Sequence, residues 1–266
     1  MSISARFREL LAYRELVVNL TARDLKLRYK RSVLGVAWSF LNPVLMMAIY
    51  TVVFSLLLRA VKAENYWALV LSGVLTWTFF SNSLVSASAA FVRNPNLITK
   101  VAFPLEALPI SAVLAQFVNF LITLALLLVI LVGGRIDLGP SLLLLPLVVV
   151  SQLAFTLGLA ILLATVTVHL RDVEHLVGIA LTALFYISPV LYPLDAAALP
   201  ASAARFLPWL RLNPLAWYLD CYHSILYHGT WPDPLMLGLS VGAGIVVLGS
   251  SYAVFNRLRP RLPESI

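Results

Sequence analysis

The sequence predicts an all-α membrane protein with six transmembrane helices. Six long stretches of the 266-residue chain are almost free of Asp, Glu, Lys and Arg. Each is close to the roughly 20 residues that a helix needs to cross a bilayer. Composition agrees, because 61% of the residues are hydrophobic and 12% are charged, against about 25% charged in an average soluble domain. The predicted spans cover about residues 33–58, 66–92, 106–133, 141–168, 176–193 and 234–256.

The distribution of Lys and Arg places both termini in the cytoplasm. Residues 1–32 carry eight basic side chains. With six spans, both ends lie on the same side as the loops that contain Arg93, Lys100 and Arg171, and that side holds 14 of the 19 basic residues. An excess of Lys and Arg marks the cytoplasmic side. The net charge of +7 therefore reflects topology, and we predict no nucleic-acid partner.

Three parts are expected along the chain. Residues 1–32 form an N-terminal segment, residues 33–256 a single transmembrane domain, and residues 257–266 a cytoplasmic tail. The first part is predicted to be an amphipathic helix at the headgroup level, near anionic lipid. Two interpretations of this helix stay open. Its basic residues only set the orientation of the protein in the membrane, or the helix is also a docking surface for a cytoplasmic partner. In a helical projection one sector collects Arg8, Glu15, Asn19, Arg23, Lys26 and Lys30.

The first spans contain residues that shape helices. Pro43 lies inside span one, where it removes a helical hydrogen bond and favours a kink. Tyr66 and Trp67 open span two, at the position of an outer aromatic belt. After the cytoplasmic turn that Asn94-Pro95 indicates, Pro104 is suited to the first turn of span three and Glu106 to its positive end.

The third cytoplasmic loop, residues 169–175, is short and carries mixed charges. Two interpretations stay open. Either the charges serve only to solvate a helix hairpin, or the rigid hairpin is a surface on which a partner protein acts.

Residues 195–232 contain apolar pieces that are too short to span the membrane. We predict short re-entrant or interfacial helices in the outer leaflet before the last span, with a break at Asn213-Pro214. Non-spanning backbone at this depth is tolerated where protein or a water-filled cavity surrounds it. Because the region is rich in aromatic residues, we hypothesise that it forms an external gate.

No motif for covalent chemistry is recognisable. The chain lacks a phosphate-binding Gly-Lys-Ser/Thr loop, its single Cys221 has no partner for a disulfide, and the spans hold no paired carboxylates. His169, His175, His223 and His228 are better explained as unligated histidines. We therefore predict no catalytic residue, no metal site and no bound cofactor. We also predict that the chain is not an enzyme by itself. A permeation path driven by an external energy source fits this sequence best.

Several segments together resemble one family, the type-2 ABC transporter permeases, and within it the exporters of lipid-linked polysaccharides such as O antigen, capsule or teichoic acid. The similar segments are residues 23–35, 96–106, 171–174, 188–193, 213–215 and 227–232. They follow the order of the family along the whole chain.

The resemblance implies a subunit of an assembly in the bacterial cytoplasmic (inner) membrane. Two copies of the permease would pair with two soluble ATP-binding cassette subunits, which bind ATP and magnesium, and the substrate would be a lipid-linked glycan. The surfaces that meet the ATPase would include Arg23, Asp24, Lys26, Arg28, Arg171, Asp172, Glu174 and His175. A cytoplasmic gate would include Asn94, Pro95, Asn96 and Lys100.

The same resemblance implies a channel in which aromatic rings contact sugars. The candidate residues for the channel or the outer gate are Tyr50, Trp77, Tyr186, Tyr192, Trp209, Trp217, Tyr218 and Tyr222. Two alternatives compete with a polysaccharide exporter. A type-2 permease for a drug or small lipidic compound would be expected to differ before the first span and between spans five and six. A membrane-embedded enzyme of lipid or glycan assembly would carry an acidic or histidine cluster, which this sequence lacks.

Overall fold

The computed structural model describes residues 12–29, 32, 34–35, 37–57, 64–100, 103–170, 172–194 and 206–259. These residues are mostly helical and contain no strand. In chain order the helices are α1 (Arg14–Tyr29), α2 (Ala37–Tyr50), α3 (Tyr66–Ser88), α4 (Pro95–Lys100), α5 (Ala107–Gly133), α6 (Leu145–His169), α7 (Val173–Ile187), α8 (Leu207–Leu210), α9 (Pro214–Leu226) and α10 (Pro234–Leu258).

Five of these helical segments are long and apolar enough to cross a membrane. A π-helix, Thr51–Leu57, continues α2, and a short 3-10 helix, Pro140–Leu144, precedes α6. With these extensions the five segments correspond to predicted spans one to four and six: Ala37–Ser55, Tyr66–Ser88, Ala107–Gly133, Pro140–His169 and Pro234–Leu258. The candidate for span five, α7, has 15 residues, or about 22 Å at 1.5 Å per residue, which is shorter than the roughly 30 Å hydrocarbon core. Six spans and the cytoplasmic position of the termini therefore stay predictions.

The bundle has two ends, which we name by the residues they carry. The inner end carries Arg93 and His169, and the outer end carries Tyr66 and Asn213. Helix α3 runs through the centre: 72% of its most apolar window is buried, against 6% for α2. Most residues of α3, including Leu69, Leu71 and Phe79, are buried. Its neighbours α5, α6, α7, α9 and α2 surround it.

The most extensive contact between two of the described helices joins α6 and α10. A side chain at Gly158 on α6 would place its Cβ 2.8 Å from the Cα of Leu248 on α10. A Cβ at Gly244 on α10 would lie 2.7 Å from the backbone oxygen of Ser151 on α6. Small residues let two membrane helices approach closely in this way.

We expect Gly158→Val to destabilise this helix pair. The added side chain must push the α10 backbone away, and overpacking of this kind costs about 1–3 kcal/mol, or about 2–4 °C in Tm for each kcal/mol in a domain of this size. Thermal unfolding of the purified protein in detergent measures the change. Gly249→Val is the matched control, because a Cβ there meets nothing within 4 Å; equal Tm values for the two variants would contradict the assigned packing.

Candidate functional site

Arg23 and Asn94 meet at the inner end and join α1 to the turn after α3. The guanidinium Nη1 of Arg23 donates a hydrogen bond to Oδ1 of Asn94 at 3.3 Å, and Nδ2 of Asn94 donates to the backbone oxygen of Ala90 at 2.8 Å. Arg23 also pairs with the neighbouring carboxylate of Asp24 at 3.0 Å. One predicted coupling residue and one predicted gate residue are therefore in direct contact, although 71 positions separate them.

A second polar link at the inner end joins the turn after α3 to the start of α7. Arg93 lies 3.2 Å from a carboxylate oxygen of Glu174. Both side chains are partly exposed, and such pairs contribute at most about 1 kcal/mol. Asp172 and His175 are exposed beside Glu174. Arg93 was not among the predicted coupling residues, because only the fold brings it next to α7.

Some of the predicted residues cannot be placed. Arg171 lies outside the described residues, as do the side chains of Arg28, Asn96 and Lys100. Pro95 begins α4 and is exposed, and Lys26 is exposed on α1.

A hydrophobic cluster at the inner end, which we call the inner core, connects α1 to the bundle. Leu20 of α1 is buried there together with Phe91, Leu108 of α5 and Phe255 of α10. Ile161, Ala164 and Val168 of α6 belong to the same cluster. A displacement of α1 would therefore press directly on the inner ends of several membrane helices, since packed cores transmit strain.

Of the candidate aromatics on or next to the membrane helices (Tyr50, Trp77, Tyr186 and Tyr192), the first three contact Phe185. Ring centroids of Tyr50 and Phe185 are 5.7 Å apart, those of Trp77 and Phe185 5.5 Å, and those of Phe185 and Tyr186 5.2 Å. We call these four residues the aromatic face. They come from α2, α3 and α7, and Tyr186 is 62% exposed. The fourth predicted aromatic, Tyr192, instead donates its hydroxyl proton to the backbone oxygen of Ile187 at 2.9 Å.

The predicted outer-gate aromatics divide into two groups. Trp209 on α8 is exposed, and the indole N–H of Trp217 donates to the backbone oxygen of Arg211 at 2.6 Å. Tyr218 and Tyr222 on α9 are fully buried. The break predicted at Asn213-Pro214 is confirmed, because α9 starts at Pro214 and Oδ1 of Asn213 accepts a hydrogen bond from the Leu215 N–H at 3.0 Å.

The two buried tyrosines tie α9 to the membrane helices. Tyr218 donates to the backbone oxygen of Ser240 on α10 at 2.6 Å. Tyr222 donates to Oε1 of Gln152 on α6 at 2.8 Å, and Nε2 of Gln152 donates to the backbone oxygen of Thr76 on α3 at 3.3 Å. Their rings thus face the protein interior in this subunit, and Gln152 is a partner that the sequence did not reveal.

The pKa values of Asp220 and His223 on α9 are shifted in the directions that favour the uncharged forms of these side chains. Burial, followed by the nearby Asp233, raises the pKa of the Asp220 carboxyl, while Arg211 partly offsets the shift. Burial, followed by His228, lowers the pKa of His223 to about 3. His223 is therefore uncharged near neutral pH. Among the described residues, no group of three or more His, Cys, Asp or Glu side chains is placed to hold a metal ion.

A cavity that the sequence did not predict opens at the inner end between α1, α3 and α5. Its volume is about 580 Å³. The walls include the polar, uncharged side chains of Asn82, Ser86, Gln116 and Asn119, and Arg23 lies at its edge.

Comparison with known proteins decides the family. The family model for ABC-2 type transporters matches residues 15–227. The chain belongs to the ABC-2 type transporter family. Together with its apolar helices, this membership makes the chain a multi-pass protein of the inner membrane.

The ABC-2 permease is also similar to curated proteins over nearly its full length. A protein of Myxococcus xanthus named O-antigen export system permease protein RfbA is 37% identical over 261 residues, which are 97% of this chain and 98% of the relative. Two Klebsiella pneumoniae proteins with the same name are 32% and 31% identical, each over 94% of both chains. The family predicted from the sequence motifs is therefore confirmed.

Proposed function

We propose that this ABC-2 permease exports a lipid-linked polysaccharide of the O-antigen, capsule or teichoic acid type across the cytoplasmic membrane. One observation carries the proposal: its similarity to three curated relatives, each named an O-antigen export permease, extends over at least 94% of both chains. Those names do not favour the alternative substrate, a drug or small lipidic compound. ATP and magnesium would be bound by separate ATPase subunits, two for each permease dimer.

The exposed helices α2 and α7 support an assembly of two copies. Only 6% of the apolar window of α2 is buried, and apolar side chains of α7, including Leu176 and Ile179, are exposed. The aromatic face lies between these two helices. We propose that a second copy faces it, so that the two aromatic faces line one path along which sugar rings stack on aromatic rings.

The course of the chain after α7 supports a sixth span. Helix α7 starts at the inner end beside Arg93, and residues 188–191 reach the outer end, where the hydroxyl of Tyr66 donates to the backbone oxygen of Leu191 at 2.6 Å. We propose that α7 and this segment cross the membrane together. Both termini would then lie in the cytoplasm, as the charge distribution predicts.

Two structural links at the inner end support coupling to the ATPase. The α1 helix reaches the bundle through Arg23, Asn94 and the inner core, and the start of α7 reaches it through Arg93 and Glu174. We propose that the ATPase subunits press on α1 and on the loop before α7. Nucleotide-driven motion would then reach the aromatic face along α7.

Deletion of the gene tests the proposed function. We expect the deletion strain to lose surface polysaccharide and to accumulate lipid-linked glycan in the inner membrane, and the wild-type gene to restore export. Gel analysis of surface glycan and mass spectrometry of membrane lipids measure the two pools. Unchanged surface glycan together with an unchanged lipid-linked pool would overturn the proposal.

A further inference from the structure

The cavity between α1, α3 and α5 has the depth and size of a ligand site. It extends from Arg23 and Asn94 at the inner end to Asn119. Asn119 is the thirteenth residue of α5, so this point lies about 18 Å along the helix. The volume of about 580 Å³ falls within the range of about 300–1,000 Å³ for small-molecule sites.

The deep part of this cavity combines apolar side chains such as Val85 and Ala112 with three carboxamides and a hydroxyl, and among the described residues no charged side chain lines it beyond the inner end. Asn82 and Ser86 come from α3, and Gln116 and Asn119 come from α5. Nε2 of Gln116 donates to Oγ of Ser86 at 3.1 Å, which fixes two of these side chains relative to each other. Carboxamides donate and accept hydrogen bonds, as do the hydroxyl groups of sugars. We call this space the carboxamide cavity.

Polar side chains continue from the carboxamide cavity toward the outer end. A smaller adjoining cavity of about 30 Å³ shares Asn82, Gln116 and Asn119 with it and adds Ser39, Thr78 and Thr123. Thr78 and Thr123 donate their hydroxyl protons to backbone oxygens of their own helices, and their oxygen atoms can still accept hydrogen bonds. This lining therefore suits a hydroxylated occupant better than the hydrocarbon tail of a lipid.

The charges at the mouth are balanced. Arg23 pairs with Asp24 at 3.0 Å, and Arg93 pairs with Glu174 at 3.2 Å. The mouth therefore offers little net attraction to a free anion such as inorganic phosphate. We therefore attribute selection in the carboxamide cavity to hydrogen bonds with hydroxyl groups of the occupant.

We propose that the carboxamide cavity binds a sugar unit of the lipid-linked glycan at the inner end, before the glycan enters the path along the aromatic face. This inference rests on the proposed function and locates a binding site for the same substrate. A hydroxylated head group has two sources in the membrane: the glycan itself, and phospholipids such as phosphatidylglycerol.

Crosslinking in the intact complex separates these sources. Val85 lines the carboxamide cavity and is exposed, so a photoreactive benzoyl-phenylalanine is introduced there. The permease–ATPase complex is reconstituted in vesicles of phosphatidylethanolamine and phosphatidylglycerol. Three samples receive lipid-linked glycan, the lipid carrier phosphate without sugar, or no addition. We expect a crosslinked product only in the sample that receives lipid-linked glycan. Crosslinks to phosphatidylglycerol, or equally strong crosslinks to the sugar-free carrier, would overturn the proposal.

Transport kinetics provide the second readout. We expect Gln116→Leu to raise the glycan concentration for half-maximal transport about tenfold, equivalent to a loss of about 1.4 kcal/mol, while the maximal rate stays within about twofold. Asn82→Leu is expected to behave in the same way. Ser250→Leu on α10 is the matched control, because Ser250 is exposed and not part of the cavity.

The outcomes distinguish a failure of the proposed export function from a failure of the proposed sugar site. If the wild-type complex transports no lipid-linked glycan, the proposed function fails. If transport occurs but Val85 gives no glycan crosslink and both leucine variants keep the wild-type half-maximal concentration, only the carboxamide cavity is wrongly assigned. Should a leucine variant misfold, the Val85 crosslink still decides the matter.

Discussion

Replacing Arg171, Asp172 and Glu174 together with alanine is expected to reduce polysaccharide export strongly while leaving the permease folded. Asp172 is exposed, and Glu174 makes one partly exposed ion pair, with Arg93 at 3.2 Å. Loss of such a pair costs at most about 1 kcal/mol. In the proposed mechanism the larger effect on export comes from the lost contact with the ATPase. Co-purification of the ATPase subunit and export of surface glycan measure it, and we expect both to fall at least about tenfold, a coupling of about 1.4 kcal/mol.

Two control variants separate docking from local packing. Arg93→Ala removes the ion pair with Glu174 but keeps the charges of the loop, so we expect co-purification of the ATPase to persist and export to fall less than after the triple substitution. Arg135→Ala combined with Asp137→Ala removes charges from the exposed loop between α5 and α6 at the other end of the bundle. Normal export and normal co-purification after the triple substitution would remove this loop from the coupling mechanism.

The sequence predicted five of the six long apolar helices because lipid imposes one rule on every backbone group. Charge-free runs of sufficient length correspond to α2, α3, α5, α6 and α10. Local signals held in part: the chain breaks at Asn213-Pro214, where α9 starts, and Glu106 lies directly before α5. Pro104 was expected in the first turn of that helix but lies before it, because α5 starts only at Ala107. Helix α7 ends at Ile187, before the predicted end of span five at about residue 193. The cause is local, because Pro189 disfavours helical backbone at the residue before it, Ser188.

Side-chain positions that depend on contacts between distant segments could not be predicted from the sequence. Aromatic residues at a membrane interface and in a protein interior give the same pattern, so the buried hydroxyl contacts of Tyr218 and Tyr222 with α10 and α6 did not appear in it. The carboxamide cavity likewise combines Asn82 and Gln116 from separate spans. Phe185 was passed over as a site residue, although two predicted channel aromatics contact it from α2 and α3.

Tyr186→Leu is expected to slow glycan export about tenfold without unfolding the permease. Tyr186 is the most exposed member of the aromatic face at 62%, so replacing it with another apolar side chain disturbs little packing. Leucine keeps an apolar surface but removes the ring on which a sugar stacks. Aromatic contacts of this kind contribute about 0.5–1.5 kcal/mol each, and a dimer would lose two of them. Initial rates of transport by reconstituted complexes measure the change.

Two further variants decide whether the ring of Tyr186 or only its bulk matters. Tyr186→Phe keeps the ring and removes the hydroxyl, so a rate near wild type is expected if stacking carries the effect. Trp231→Leu removes an exposed ring that lies outside the aromatic face, and export should persist. A leucine variant at Tyr186 as fast as the wild type would exclude the aromatic face from the path. A slow Phe variant would mean instead that the hydroxyl guides the glycan through hydrogen bonds, as side chains in the carboxamide cavity are proposed to do.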